Sequence, residues 1–69
     1  MNNIRKFRTE QGHKLDHFAK LCNLSAGYMS HLENGSRSNP SYKAMTNIAK
    51  VLNKTISEVF EEGINKDEE

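Results

Sequence analysis

The sequence predicts an all-α fold of five short helices joined by tight connections. Apolar residues recur at helical spacing. The clearest cases are Leu15, Phe18, Ala19 and Cys22, at i, i+3, i+4 and i+7, and the stripe Tyr42, Met45, Ile48, Ala49 and Leu52. Residues that cap or stop helices punctuate these stripes at short, regular intervals. No stretch of useful length alternates apolar and polar residues as a half-buried strand does, and there is no internal repeat.

Asn2 or Asn3 is placed to cap a first helix on which Ile4 and Phe7 lie three apart, and Gly12 is its stop. The second helix runs from Leu15 to Cys22. Asn23 follows, the residue that best tolerates the left-handed conformation after glycine. Ser25 is a good N-cap for a third helix that reaches about Asn34 and is stopped by Gly35, with Tyr28, Met29 and Leu32 on its apolar side. Beyond a Ser-, Arg- and Asn-rich loop over 35–40, a fourth helix starts at Ser41 and ends at Asn53. Thr55 and Glu58 have capping-box spacing and open a fifth helix carrying Ile56, Val59 and Phe60, with Gly63 as its stop. Phe18, Met29, Met45 and Ile48 are expected in the core.

The chain has 69 residues, of which 35% are hydrophobic and 28% charged. That length supports one small domain, because chains this short bury only about 60% of their unfolded surface. Residues 1–62 are assigned to it, and 63–69 form an acidic tail expected to be disordered. A single cysteine, Cys22, excludes a disulfide framework. The longest apolar run is two residues, too short for a membrane span or a signal-peptide core, so a cytoplasmic setting is expected.

Net charge is +1, but the charge is unevenly placed. Through residue 54 there are nine basic residues against Glu10, Asp16 and Glu33, a net of +6, whereas residues 55–69 carry a net of −5. This division fits either a soluble protein with a charged tail or a polyanion-binding body with its acids held away.

The informative pair is the second and third helices, separated by only Asn23, Leu24 and Ser25. A connection this short with a left-handed residue makes a helix-turn-helix, with Ala19 permitting close approach and Leu24 plugging the turn. The second helix of such a unit projects from the body and fits a major groove about 12 Å wide.

Around that pair stand Ile4, Phe7, Arg8, Gly12, Phe18-Ala19, Asn23-Leu24-Ser25, Tyr28-Met29-Ser30, Leu32-Glu33-Asn34-Gly35, Asn39-Pro40-Ser41, Ile48-Ala49, Leu52 and Glu58-Val59-Phe60. Over about residues 2–61 this pattern resembles the XRE family of helix-turn-helix regulators, the phage repressor and Cro type. The resemblance implies a compact five-helix, lambda-repressor-like domain that binds double-stranded operator DNA as a dimer on a palindrome.

It also implies roles for individual residues. Base-edge positions fall on Ala26, Gly27, Ser30 and His31. The better-known readers carry Gln or Arg at the first two, so direct readout is thin and DNA shape supplies part of the specificity. Backbone-contact positions fall on Lys14, Leu15, Tyr28, Asn34, Arg37, Ser38, Asn39 and Ser41. Lys14 and Leu15 replace the usual Ser or Thr followed by Gln, and the 35–40 loop is one residue longer than the common pattern. Tyr28 is balanced between packing and DNA contact. Arg8 and Glu33 correspond to an ion pair that fixes the recognition helix to the body.

Other chemistries find little support. His13, His17 and Cys22 lack the four-ligand spacing of a metal site, and Cys22 lies on the apolar stripe, so no metal or cofactor is expected. Ser30 and His31 are adjacent but have no third group to orient a base, so the chain is not expected to be an enzyme. Ile56, Val59, Phe60 and Ile64 either pack on the first and fourth helices or form a homodimer seam. The leading expectation is a sequence-specific transcriptional repressor consisting of its DNA-binding domain and little else. The alternative is an antitoxin or other interaction module that uses the same fold and meets a protein partner through its acidic C-terminal segment.

Overall fold

Four left-handed residues mark where helices end: Gly12 (φ 79°), Asn23 (φ 64°), Gly35 (φ 87°) and Asn53 (φ 59°). In the computed structural model, which describes residues 2–35 and 40–60, the helices between them are α1 (Ile4–Glu10), α2 (Leu15–Leu21), α3 (Ala26–Glu33), α4 (Tyr42–Leu52) and α5 (Ile56–Phe60). Helix is the only regular element among the described residues.

Three of the helices close by the same device. The His13 amide donates to the Arg8 carbonyl, the Leu24 amide to the Ala19 carbonyl and the Lys54 amide to the Ala49 carbonyl, at 3.1, 2.9 and 2.9 Å. Bonds spanning three residues instead of five run from the Gly12 amide to Thr9, Asn23 to Lys20 and Asn53 to Lys50. This paired arrangement satisfies carbonyls the last helical turn leaves open. At the other ends, Ser25 Oγ accepts from the Tyr28 amide and Ser41 Oγ from the Ala44 amide. Thr55 and Glu58 cap α5 reciprocally, the Thr55 amide donating to Glu58 Oε1 at 2.8 Å and the Glu58 amide to Thr55 Oγ1 at 3.0 Å.

Every helix sends at least one side chain into a single core. Ile4, Phe18, Cys22, Met29, Ile48, Leu52 and Val59 have no exposed surface. Around it, amide side chains tie helix ends together by reaching distant backbone carbonyls. Asn2 Nδ2 donates to the Leu32 carbonyl, Asn3 Nδ2 to that of Glu58, Gln11 Nε2 to that of Leu52 and Asn47 Nδ2 to that of Cys22. One flank of α1 therefore meets the end of α3, while its other contacts run to the ends of α4 and α5.

Several expectations are corrected. Asn3 stands at the N-cap position of α1, but the expected side-chain bond is not its own. Asn3 makes no side-chain cap bond, and Asn2 Oδ1 instead accepts from the Ile4 amide. Tyr42 is 72% exposed, because a side chain in the first turn leans back past the helix start and beyond the core's edge. Ala44 is buried in α4 instead, and Met45 is only half-buried. Val59 packs wholly inside its own chain and has no surface to offer a second copy. Ile56 and Phe60 are half-buried against the same core. Ile64, the Gly63 stop, the 62/63 boundary and the acidic tail lie outside the described residues.

Candidate nucleic-acid interface

The interface begins in the α2–α3 connection. With Asn23 left-handed, Leu24 turns inward against the core and Ser25 restarts the chain as the α3 cap. Ala19 is fully buried, its small side chain allowing α2 and α3 to pack closely. Met29 and Leu32 bury the inner side of α3, each worth roughly 1.5–3 kcal/mol of transfer free energy. The opposite side carries Gly27, Ser30, His31 and Asn34 at i, i+3, i+4 and i+7. Gly27, His31 and Asn34 are exposed and Ser30 is half-buried, with exposed Ala26 beside them. The four base-edge positions inferred from the sequence thus share one outward face. Tyr28 is half-buried against the core.

The far end of α3 is held by charge. Arg8 Nε donates to Glu33 Oε2 at 2.6 Å and Arg8 Nη2 to Glu33 Oε1 at 3.0 Å, a two-bond fork on a carboxylate that is 2% exposed. The third arm of the guanidinium, Nη1, donates to the His13 carbonyl at 2.8 Å. One side chain therefore joins α1, the turn before α2 and the end of α3. Arg5, one helical turn earlier, brings its Nε within 3.5 Å of Glu33 Oε1 from the solvent side.

At the start of α2, Lys14 is exposed, and the Leu15 side chain is half-buried against the core. Here the sequence reading missed Asp16. Its Oδ1 accepts from the His17 amide at 2.8 Å, placing a carboxylate where α2 would otherwise attract an anion. The signal was available, since an acidic residue in a first turn commonly takes this role. Beyond α3, exposed Ser41 uses its oxygen to cap α4 while its hydroxyl hydrogen remains able to donate. Arg37, Ser38 and Asn39 lie outside the described residues.

His13 stacks obliquely between His17 and Phe18, with ring centroids 6.3 and 5.6 Å away. Cys22 is fully buried, and that burial pushes its thiol up to about 11. Among the described residues, no three His, Cys, Asp or Glu side chains are grouped to hold a metal ion. None of the described helices is long and apolar enough to cross a membrane.

A capped helix with a polar outer face, set on a second helix by a three-residue turn, defines a helix-turn-helix DNA-binding domain. The pattern of the helix-turn-helix family matches residues 4–59, and the chain belongs to this family, in its XRE form. The protein is accordingly a DNA-binding transcriptional regulator. Among solved structures, the N-terminal DNA-binding domain of SinR from Bacillus subtilis is similar. It has a TM-score of 0.74 and 26% sequence identity, over 78% of this chain and 78% of that one. No curated protein matches the chain.

Proposed function

We propose that the protein is a repressor that binds a palindromic operator as a homodimer, with α3 lying in the major groove of each half-site. The observation that carries this reading is the outward face of α3, held to the body by Arg8 and Glu33. Ala26 offers a methyl for thymine contact, Ser30 a hydroxyl for either kind of base, and His31 a ring nitrogen for guanine or cytosine. Lys14, the start of α2 at Leu15, Tyr28, Asn34, Arg37, Ser38, Asn39 and Ser41 hold the phosphates on either side. Occupying the groove excludes other proteins from it, which is repression in its simplest form.

Homodimerisation is proposed through Ile56 and Phe60 together with Ile64, with Val59 removed from the seam because it is buried. A single subunit places few cations at the groove, so pairing on one DNA is how the chain gains both affinity and length of site.

Selecting bound sites from a random DNA pool tests the proposal. The expected result is two inverted half-sites whose centres lie about 34–36 Å apart, or a multiple of that distance. Affinity for the selected site should fall steeply with salt. His31→Ala should change the preferred base, whereas Arg37→Ala should weaken all sequences alike. Absent or salt-independent binding would sink the DNA-reading role, and a single unpaired half-site would sink the dimer.

A further inference from the structure

We infer that Arg5 is a phosphate-contacting residue, a cation that α1 supplies at the exit of the recognition helix. The inference rests on the DNA-binding reading above and adds to it a contact from outside the helix-turn-helix. Two ties hold α1 against the end of α3, and a third side chain lies loosely beside them. Asn2 donates to the Leu32 carbonyl at 3.0 Å, Arg8 forks onto Glu33, and Arg5 Nε stands 3.5 Å from the same carboxylate. Arg5 is thereby placed beside the point where α3 passes into Asn34 and Gly35, which lead into the loop proposed to follow the DNA backbone.

The charges there do not cancel. Glu33 is a single carboxylate, and Arg8 satisfies both of its oxygens, at 2.6 and 3.0 Å. The Arg5 contact is longer and its side chain is 69% exposed, so the pairing is screened by water and contributes little to folding. Among the described residues, one positive charge, that of Arg5, is left over at this end of α3. The Arg5 guanidinium touches Glu33 only through Nε and is otherwise open to solvent, as contact with a phosphate requires. Arg8, at 11% side-chain exposure, is committed to the interior. Spacing assigns the two arginines these different roles. They sit three apart on α1, so both reach Glu33, one from within the body and one from its surface.

The test compares Arg5→Gln and Arg5→Lys with the unaltered chain, using a random-sequence DNA duplex titrated across a salt series alongside thermal melting without DNA. Arg5→Gln should lower the slope of log affinity against log salt by about 0.9 for each bound subunit and leave the melting temperature unchanged. Arg5→Lys should restore most of the slope, because the phosphate contact needs the charge first. An unchanged slope in Arg5→Gln, or a loss of melting temperature as large as that of Arg8→Ala, overturns the inference and makes Arg5 a structural partner of Glu33. If the unaltered chain itself shows no salt-dependent binding, the DNA-binding reading fails and takes this inference with it.

Discussion

Arg8 grips Glu33 through two hydrogen bonds, 2.6 and 3.0 Å long, and the carboxylate it holds is almost wholly buried. Such a pair need not stabilise more than well-packed apolar residues would, since both charges lose their water. Breaking it is a different matter. Arg8→Ala leaves a buried carboxylate with only the looser, exposed Arg5 beside it and frees the His13 carbonyl. Removing one partner of a buried pair costs about 3–5 kcal/mol. The variant should therefore melt well below the parent and bind DNA more weakly. Unchanged melting would show that the Glu33 carboxylate finds another partner in the variant.

What was legible in the sequence follows from the range of the interactions. Asn23, Ser25, Asn53 and the Thr55–Glu58 box act within about five residues, so residue type at a fixed offset is enough to find them. The α2 stripe was equally readable, because Phe18, Ala19 and Cys22 need only a period of 3.6 residues. Asn2 with Leu32, Gln11 with Leu52 and Asn47 with Cys22 are bonds from side chain to distant carbonyl, 30, 41 and 25 residues apart. Their acceptor is backbone, identical at every position, so no pattern of residue types marks it. Arg8 and Glu33 were reached only through family resemblance, for the same reason of distance. Tyr42 was misplaced because periodicity assumes a helix without ends. Met45 was placed in the core by the same periodicity, although it lies half-buried at the margin of the stripe, and Val59 shows that an apolar surplus on a short terminal helix can be consumed by its own core.

Glu58 gives α5 a pH dependence with a definite sign. The bond from the Thr55 amide holds its carboxyl below the ordinary glutamate value of 4.5, outweighing the opposing effect of desolvation with help from the Lys54 charge and the Thr55 hydroxyl. A group whose value is lower in the folded state contributes stability that is fully present above its unfolded value. That contribution is lost as pH falls through the folded value. Glu58→Gln should therefore melt lower than the parent at neutral pH, and the two curves should converge below pH 4.5. A difference that persisted undiminished in acid would assign the effect to packing instead.

Asp16 sets helix stability against DNA affinity at the start of α2. Its carboxylate accepts from the His17 amide, and a negative charge in a first turn stabilises a helix by about 0.3–1 kcal/mol. The same charge stands next to Lys14, where the proposed complex brings a phosphate. Asp16→Asn should lower the melting temperature slightly and strengthen DNA binding. The gain should be largest at low salt, because exposed charges are screened over about 8 Å at physiological ionic strength. If the variant bound no more tightly in low salt, the start of α2 would not face the DNA backbone.

Gly27 presents the sharpest opposition of the two demands. It lies in the first turn of α3, outside the left-handed region, and a Cβ added there meets no atom within 4 Å. Nothing among the described residues thus requires glycine, and in a helix glycine costs about 0.5–1 kcal/mol relative to alanine. Gly27→Ala should raise the melting temperature by roughly 2–8 °C for a domain of this size. In the proposed complex the bare backbone at Gly27 approaches the groove closely, and an added methyl would obstruct it. The same variant should therefore bind DNA more weakly while folding more stably, a combination that no loss of structure can produce. Higher stability with undiminished affinity would mean that α3 does not approach the DNA closely at Gly27, and the base contacts would then shift towards Ser30 and His31.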